Sequence, residues 1–107
     1  MHPRFGVGER FANADGSSRQ AELGRCHCGE PISFEREPGN PRDPFAVALY
    51  SCRGVQIGYL GREHAKWLAP LIDNGQPVVA SIVRIAPKGR PFSPLALTMK
   101  VHVDGTR

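Results

Sequence analysis

Glycine and proline interrupt this sequence so often that its regular elements must be short. The chain has 12 glycines and 10 prolines in 107 residues, about a fifth of the total, against an average usage of roughly 12%. Glycine weakens helices and strands, and proline lacks a backbone donor. Many turns joining several short strands are therefore predicted, rather than a bundle of long helices.

The apolar residues between these turns follow the two-residue period of β-strands. In the segment 31–37, Ile32, Phe34 and Arg36 fall on one face and polar residues separate them, which is the pattern of a half-buried strand. The same reasoning gives six predicted strands: 5–11, 31–37, 46–51, 55–60, 77–86 and 95–103.

The last two of these strands supply much of the predicted core. Ala80 and Ile82 share a face of the first, with Arg84 as a further candidate for that face. In the second, alternate residues form the inward set: Leu97, Met99, Val101 and Val103. The loop between the two strands runs from Pro87 to Pro94.

Two segments are predicted to be helical. Ser18 to Leu23 can form one or two turns, with Ser17 or Ser18 as the N-cap and Gly24 as the stop. The segment 62–74 has apolar residues at helical spacing, and Pro70 should kink or divide it. The elements together predict a mainly-β (α+β) fold: a small β-barrel of about six strands with one or two short helices.

Charge and composition restrict the setting of the protein. The net charge is +4 and the isoelectric point is about 9.3. A basic balance suits a polyanionic partner, because each neutralised phosphate releases counterions, but small basic domains are common and charge alone leaves both interpretations open. No apolar run reaches the ~20 residues that span a bilayer. The N-terminus has no secretion signal, and three cysteines make a disulfide framework improbable. The prediction is a cytoplasmic protein, with association with the nucleoid allowed.

Several ordered motifs resemble the HIRAN domain family. The segment 36–47, REPGNPRDPFAV, is similar to the family signature REP-x-NP-x-D-x-x-AV. The QIGYL segment at 56–60 and the helix that follows it match the next part of that pattern, as do Gly8 to Phe11 and the turn at 15–20 upstream. The resemblance therefore covers about 5–103, and it predicts one HIRAN-like domain over residues 1–107 with that range as its core.

The resemblance implies an architecture and a function. HIRAN domains are similar to OB-folds, so an OB-like barrel is expected. They occur fused to remodelling translocases of the SWI2/SNF2 type and as small stand-alone bacterial proteins. The fused eukaryotic form recognises the 3′ end of single-stranded DNA and assists the reversal of stalled replication forks. This chain resembles the stand-alone form. The resemblance to the family as a whole, including the fused form, implies a role in DNA repair or replication-fork processing.

The resemblance also implies a set of DNA-binding residues. Phe11 would stack on a base and Arg10 would contact a phosphate or a base edge. Asp43 would accept a hydrogen bond from the terminal 3′-hydroxyl, a position at which a phosphate would be repelled. The carboxylate could equally tie its own loop through backbone amides. For Phe11, a place in the core is the alternative.

The other members of the set include one departure from the family pattern. Arg42 stands where a tyrosine is familiar, although a guanidinium can also stack on a base. Tyr59 and Arg62 match positions lining the same groove, and Phe92 would stack on the terminal base beside two loop cations. Phe45, where asparagine is common, is interpreted as a core residue, with an extra stacking surface as the alternative.

Other functions are weighed against DNA binding. A structural zinc site is one alternative, with Cys26, His27, Cys28 and Cys52 as candidate ligands. Because the C-x-C spacing is unusual for zinc, neither a metal nor any cofactor is predicted. Neither of the hydrolase motifs G-x-S-x-G and H-E-x-x-H is present, so the chain is predicted not to be an enzyme. The alternative function is a protein-interaction module that docks a separately encoded helicase, nuclease or remodelling ATPase. Preference for DNA over RNA and self-association stay open.

Overall fold

The computed structural model describes residues 2–9, 12–87 and 94–103. The elements follow the chain in this order: β1 (His2–Val7), α1 (Arg19–Leu23), β2 (Pro31–Arg36), β3 (Val47–Tyr50), β4 (Gln56–Leu60), α2 (Arg62–Asp73), β5 (Val78–Pro87) and β6 (Leu95–Val103). The six strands form a closed barrel in the order β1-β4-β3-β2-β5-β6, with every neighbouring pair antiparallel. The predicted mainly-β barrel with two short helices is confirmed.

The barrel core consists of alternate strand residues together with one face of α2. Met99 and Ile82 lie opposite each other on β6 and β5, and both are buried. The buried helical residues are Ala65, Leu68 and Ala69. Full burial of each of the larger apolar side chains stabilises the folded state by about 1.5–3 kcal/mol. This core is therefore the main source of stability.

Most predicted boundaries hold to within a residue or two, and three details are wrong. β1 begins at His2 rather than Phe5 and ends at Val7, because Gly8 has a positive φ of 77° that ends the extended run. α2 continues through Pro70 to Asp73 as one helix, so the division, one of the two predicted effects of Pro70, is wrong. Arg84 does not share the face of Ile82, because a bulge between them shifts the register and turns Arg84 outward.

The short helix α1 confirms its predicted cap. The Ser18 hydroxyl accepts a hydrogen bond from the backbone N–H of Ala21 at 3.0 Å, and Gly24 is the C-cap. Among the described residues, no helix is long and apolar enough to cross a membrane.

Candidate nucleic-acid interface

The connection between β2 and β3, residues 37–46, is held against the end of α2 by one arginine. Arg36 donates from Nη1 to the carbonyl of Ala46 at 2.7 Å and from Nη2 to the carbonyl of Pro44 at 3.0 Å. Its Nε lies 2.9 Å from Oδ1 of Asp73 in an ion pair. The guanidinium therefore fixes both the loop and the last turn of α2.

Asn40 orders the middle of the same loop. Its Oδ1 accepts hydrogen bonds from the backbone N–H groups of Arg42 at 2.8 Å and Asp43 at 3.2 Å. Its Nδ2 donates to Oε1 of Glu37 at 3.0 Å. Asparagine is suited to such turns because its side chain imitates a backbone peptide group. The loop thus presents Arg42 and Asp43 on a defined backbone.

Asp43 is connected on both sides but retains acceptor capacity. Its Oδ1 accepts from the backbone N–H of Phe45 at 2.9 Å, and its Oδ2 lies 3.5 Å from Nε of Arg62. An ionised carboxylate has about four acceptor positions, so roughly two remain. The side chain is 18% exposed, which leaves these positions open to a ligand donor.

Arg62, the first residue of α2, contacts this loop from the solvent side. Its Nη2 donates to the carbonyl of Arg42 at 2.6 Å, while the side chain is 75% exposed. A guanidinium has five N–H donors, so most are still available to a phosphate. The side chain of Arg42 is exposed and forms no hydrogen bond or ion pair with other described residues. One cation, Arg62, therefore contacts the Asp43 carboxylate, and a second exposed cation precedes Asp43 in the chain.

Tyr59 on β4 joins this corner through the same loop. Its hydroxyl donates to Oε1 of Glu37 at 2.9 Å, the oxygen that also accepts from Asn40. The Arg19 guanidinium carbon lies 5.4 Å from the centre of the Tyr59 ring, a cation–π distance. Burial raises the pKa of the Tyr59 hydroxyl, and the bond to Glu37 raises it further, so the group is a donor at neutral pH.

The structure brings together four of the predicted site residues. Arg42, Asp43 and Arg62 meet directly, and Tyr59 reaches them through Glu37 and Asn40. The other three predicted residues, Arg10, Phe11 and Phe92, lie outside the described residues. Their placement stays a prediction.

The interpretation of Phe45 as a core residue is wrong. Its residue surface is 38% exposed, and burial begins only at the next residue, Ala46. The Asp43 side chain caps the Phe45 N–H, so Phe45 belongs to the loop and not to β3. An exposed aromatic residue whose backbone N–H contacts the carboxylate is therefore part of this loop.

The contacts made by Gln20 were not predicted from the sequence. Its side-chain amide pairs with the backbone of Leu95, accepting at 2.7 Å and donating at 3.0 Å, and also donates to the carbonyl of Glu9 at 3.1 Å. Glu9 in turn accepts from the backbone N–H of Leu97 at 3.1 Å. The chain just before Arg10 is therefore fixed to the start of β6.

The cysteines do not form a recognisable metal centre. Cys26 is buried, and its thiol donates to the carbonyl of Glu22 and accepts from Arg53 at 3.2 Å. Cys28 and Cys52 are exposed. In the parts of the chain that the structure describes, no three His, Cys, Asp or Glu side chains are grouped so that they could hold a metal ion.

The barrel, its signature loop and this corner define a HIRAN domain: a profile of that family matches residues 7–105, and the chain belongs to the family. Helicase-like transcription factor of Oryctolagus cuniculus is 33% identical over 69 residues, which are 64% of this chain and 7% of that protein. A Fanconi-associated nuclease 1 homolog of Oryza sativa is 45% identical over 49 residues, which are 42% of this chain and 5% of that protein. The chain thus spans less than a tenth of these curated relatives.

Two solved structures share the fold. The HIRAN domain of human HLTF superposes with a TM-score of 0.66 at 22% identity, covering 96% of this chain and 76% of that one. A protein from Lactobacillus plantarum superposes with a TM-score of 0.70 at 20% identity, covering 95% of this chain and 93% of that one. At these identities the likeness establishes the OB-like barrel.

Proposed function

We propose that this protein is a DNA-binding module that holds single-stranded DNA at a free 3′-hydroxyl end, without catalysing a reaction. The observation that carries the proposal is the Asp43 carboxylate, which is fixed by Phe45 N–H and Arg62 and still has acceptor positions facing solvent. A terminal hydroxyl would donate to it. A terminal phosphate would bring its negative charge against the carboxylate.

The flanking groups support binding of the rest of the terminal nucleotide. Arg62 and Arg42 are exposed cations beside Asp43, and phosphate binding by such groups releases counterions. In the proposal, Tyr59 lines the groove, and Arg10, Phe11 and Phe92 complete it as the resemblance implies. The whole chain then acts as one domain.

The test is fluorescence anisotropy with three ligands: a short single strand ending in 3′-hydroxyl, the same strand ending in 3′-phosphate, and a blunt duplex. We expect the 3′-hydroxyl strand to bind at least about tenfold more tightly than either of the others, since a lost charge-assisted hydrogen bond is worth about 1.5–3 kcal/mol. Equal affinity for the two strand ends would remove end recognition and leave general binding.

Two variants locate the site. Asp43→Asn should abolish the preference between the two strand ends, because an amide does not repel phosphate. Phe11→Ala should weaken all single strands and keep the preference, because stacking tolerates any end. Wild-type behaviour of both variants would place the site elsewhere.

For the cellular role, we propose DNA repair or replication-fork processing in the cytoplasm, at nucleoid DNA, with a separately encoded helicase, nuclease or remodelling ATPase as partner. The names of the relatives, a helicase-like transcription factor and a nuclease homolog, support this class of partner. Salt distinguishes the alternative function: DNA affinity should fall steeply as salt rises, whereas docking through an apolar protein interface should not.

A further inference from the structure

The surface beside Asp43 continues along α2 instead of ending at Arg62. Two arginines link the loop 43–46 to this helix: Arg62 at the first turn pairs with Asp43, and Arg36 of β2 pairs with Asp73 at the last turn while it donates to the carbonyls of Pro44 and Ala46. The loop is therefore linked to the side of α2 that carries residues 62 and 73. Phe45 lies within this loop.

Lys66 stands on the same side of the helix. Residues 62, 66 and 73 fall within about 40° of one another around the axis, and Lys66 lies ~6 Å beyond Arg62, one helical turn away. Lys66 is exposed, and it forms no hydrogen bond or ion pair within the described part of the chain. A cation without a partner thus follows Arg62 at a spacing similar to that of successive phosphates.

Phe45 supplies an apolar surface in the loop that is linked to this side of α2. Its backbone is fixed by the bond to Asp43, and both neighbouring carbonyls, those of Pro44 and Ala46, accept from Arg36. The residue is nevertheless 38% exposed. A large apolar side chain on a fixed backbone and partly in water is suited to stacking with a planar ligand.

We propose that Phe45 and Lys66 form a second nucleotide subsite, in which the base preceding the 3′-terminal nucleotide stacks on Phe45 while its phosphate binds Lys66. This inference rests on the proposed function, because the same strand must occupy the Asp43 corner first. It adds a direction to that function: the strand leaves the corner along α2 toward its C-terminal end.

The experiment is a double-mutant cycle that combines a protein variant with a DNA strand lacking one base. Anisotropy compares a 3′-hydroxyl strand with strands that carry an abasic site at the last, second-last or fourth-last nucleotide. Phe45→Ala should weaken binding of the intact strand about tenfold, within the range known for one stacked base. The loss should vanish only when the second-last base is already missing.

Lys66→Gln tests the phosphate half of the subsite. It should reduce the slope of log affinity against log salt by about 0.7, the value for one phosphate contact on a single strand. The matched control is Trp67→Ala, which removes another exposed aromatic ring, 45% exposed on the same helix, but about 100° away from Lys66 around the axis. The control should bind like wild type.

The outcomes separate this inference from the proposed function. If wild type prefers the 3′-hydroxyl end but Phe45→Ala binds every strand like wild type, the second subsite does not exist and end recognition stands. An equal loss on all the abasic strands, or an equal loss with Trp67→Ala, also overturns it. If Phe45→Ala changes only the oligomeric state measured by sedimentation, the ring belongs to a protein interface and the second subsite is contradicted. If wild type shows no end preference, the proposed function fails first.

Discussion

Two arginine–carboxylate ion pairs in this domain, Glu22 with Arg53 and Asp43 with Arg62, differ in burial and in the number of contacts that each carboxylate makes. Glu22 on α1 is buried, with a side chain only 2% exposed, and its Oε2 accepts from Nε of Arg53 and the hydroxyl of Ser51, both at 2.6 Å. The Asp43 pair with Arg62 is longer and more exposed.

The difference lies in what each carboxylate has left to offer. Glu22 also accepts from Arg25, at 3.4 Å, and faces no solvent, so its contacts serve the fold. Asp43 meets one guanidinium at long range and one backbone N–H, so its free acceptor positions can serve a ligand. Burial and saturation, and not the residue types, separate the structural ion pair from the candidate binding site.

The largest expected effect is on the buried pair. Glu22→Ala leaves Ser51 and Arg53 without their shared acceptor, and removing one partner of a buried pair costs about 3–5 kcal/mol. Because Arg53 is partly exposed, we expect the lower end, about 3 kcal/mol of the free energy of unfolding, measured by urea denaturation. Asp43→Ala is the matched control and should lose about 1 kcal/mol or less. Similar losses for both variants would contradict the comparison.

Acid should expose the same contrast. Burial raises the pKa of Glu22, but the hydrogen bonds from Ser51 and Arg53 outweigh it, so the pKa lies below its ordinary value of 4.5. A lowered pKa in the folded state means that this stabilisation is complete above pH 4.5 and is lost as the pH falls further, through the folded-state pKa. The urea midpoint of wild type should therefore fall more steeply below that pH than the midpoint of Glu22→Gln. Parallel curves would show that Glu22 is not the titrating group.

The exposed pair should behave in the opposite way. Arg62→Ala should change the free energy of unfolding by only about 0.5 kcal/mol, as is usual for exposed ion pairs. The slope of log affinity for single-stranded DNA against log salt should fall by about 0.7. A variant that unfolds easily yet binds DNA with an unchanged slope would assign Arg62 to the fold.

The smallest effect concerns the thiols around Arg53. Burial raises the pKa of the Cys26 thiol, and the thiolate is the reactive form. With a chromogenic disulfide reagent, Cys28 and Cys52 should react quickly and Cys26 only slowly, reaching the full rate in denaturant. Cys26→Ser should remove the slow phase and no other. Three equal rates in the native protein would contradict the burial of Cys26.

Local patterns predicted the elements, because each is encoded within a few residues. The cap at Ser18 and the alternation in β2 are visible in sequence. The errors arise where one residue changes the course of the chain: Gly8 ends β1, and a bulge turns Arg84 outward. Neither the positive φ nor the bulge has a periodic signature.

The candidate site was predicted through resemblance. Of its supporting contacts, only the bond from the Asp43 carboxylate to a backbone amide of its own loop was predicted. The motif 36–47 pointed to Asp43 and its neighbours, and the family resemblance pointed to Arg62. Glu22 with Arg53, 31 positions apart, and Gln20 with Leu95, 75 positions apart, meet only in the folded chain. Long-range polar contacts of this kind follow from the barrel topology, which spacing along the chain does not specify.

Closure of the barrel restricts how this protein can recognise anything. Each of the six described strands has a neighbour on both sides, so none of them is an edge strand of the kind that an extended peptide extends in β-augmentation, a common mode of protein recognition. This arrangement favours recognition through side chains on loops and helices at the rim of the barrel. A protein partner would have to share that rim with the DNA or bind elsewhere on the outer face of the sheet.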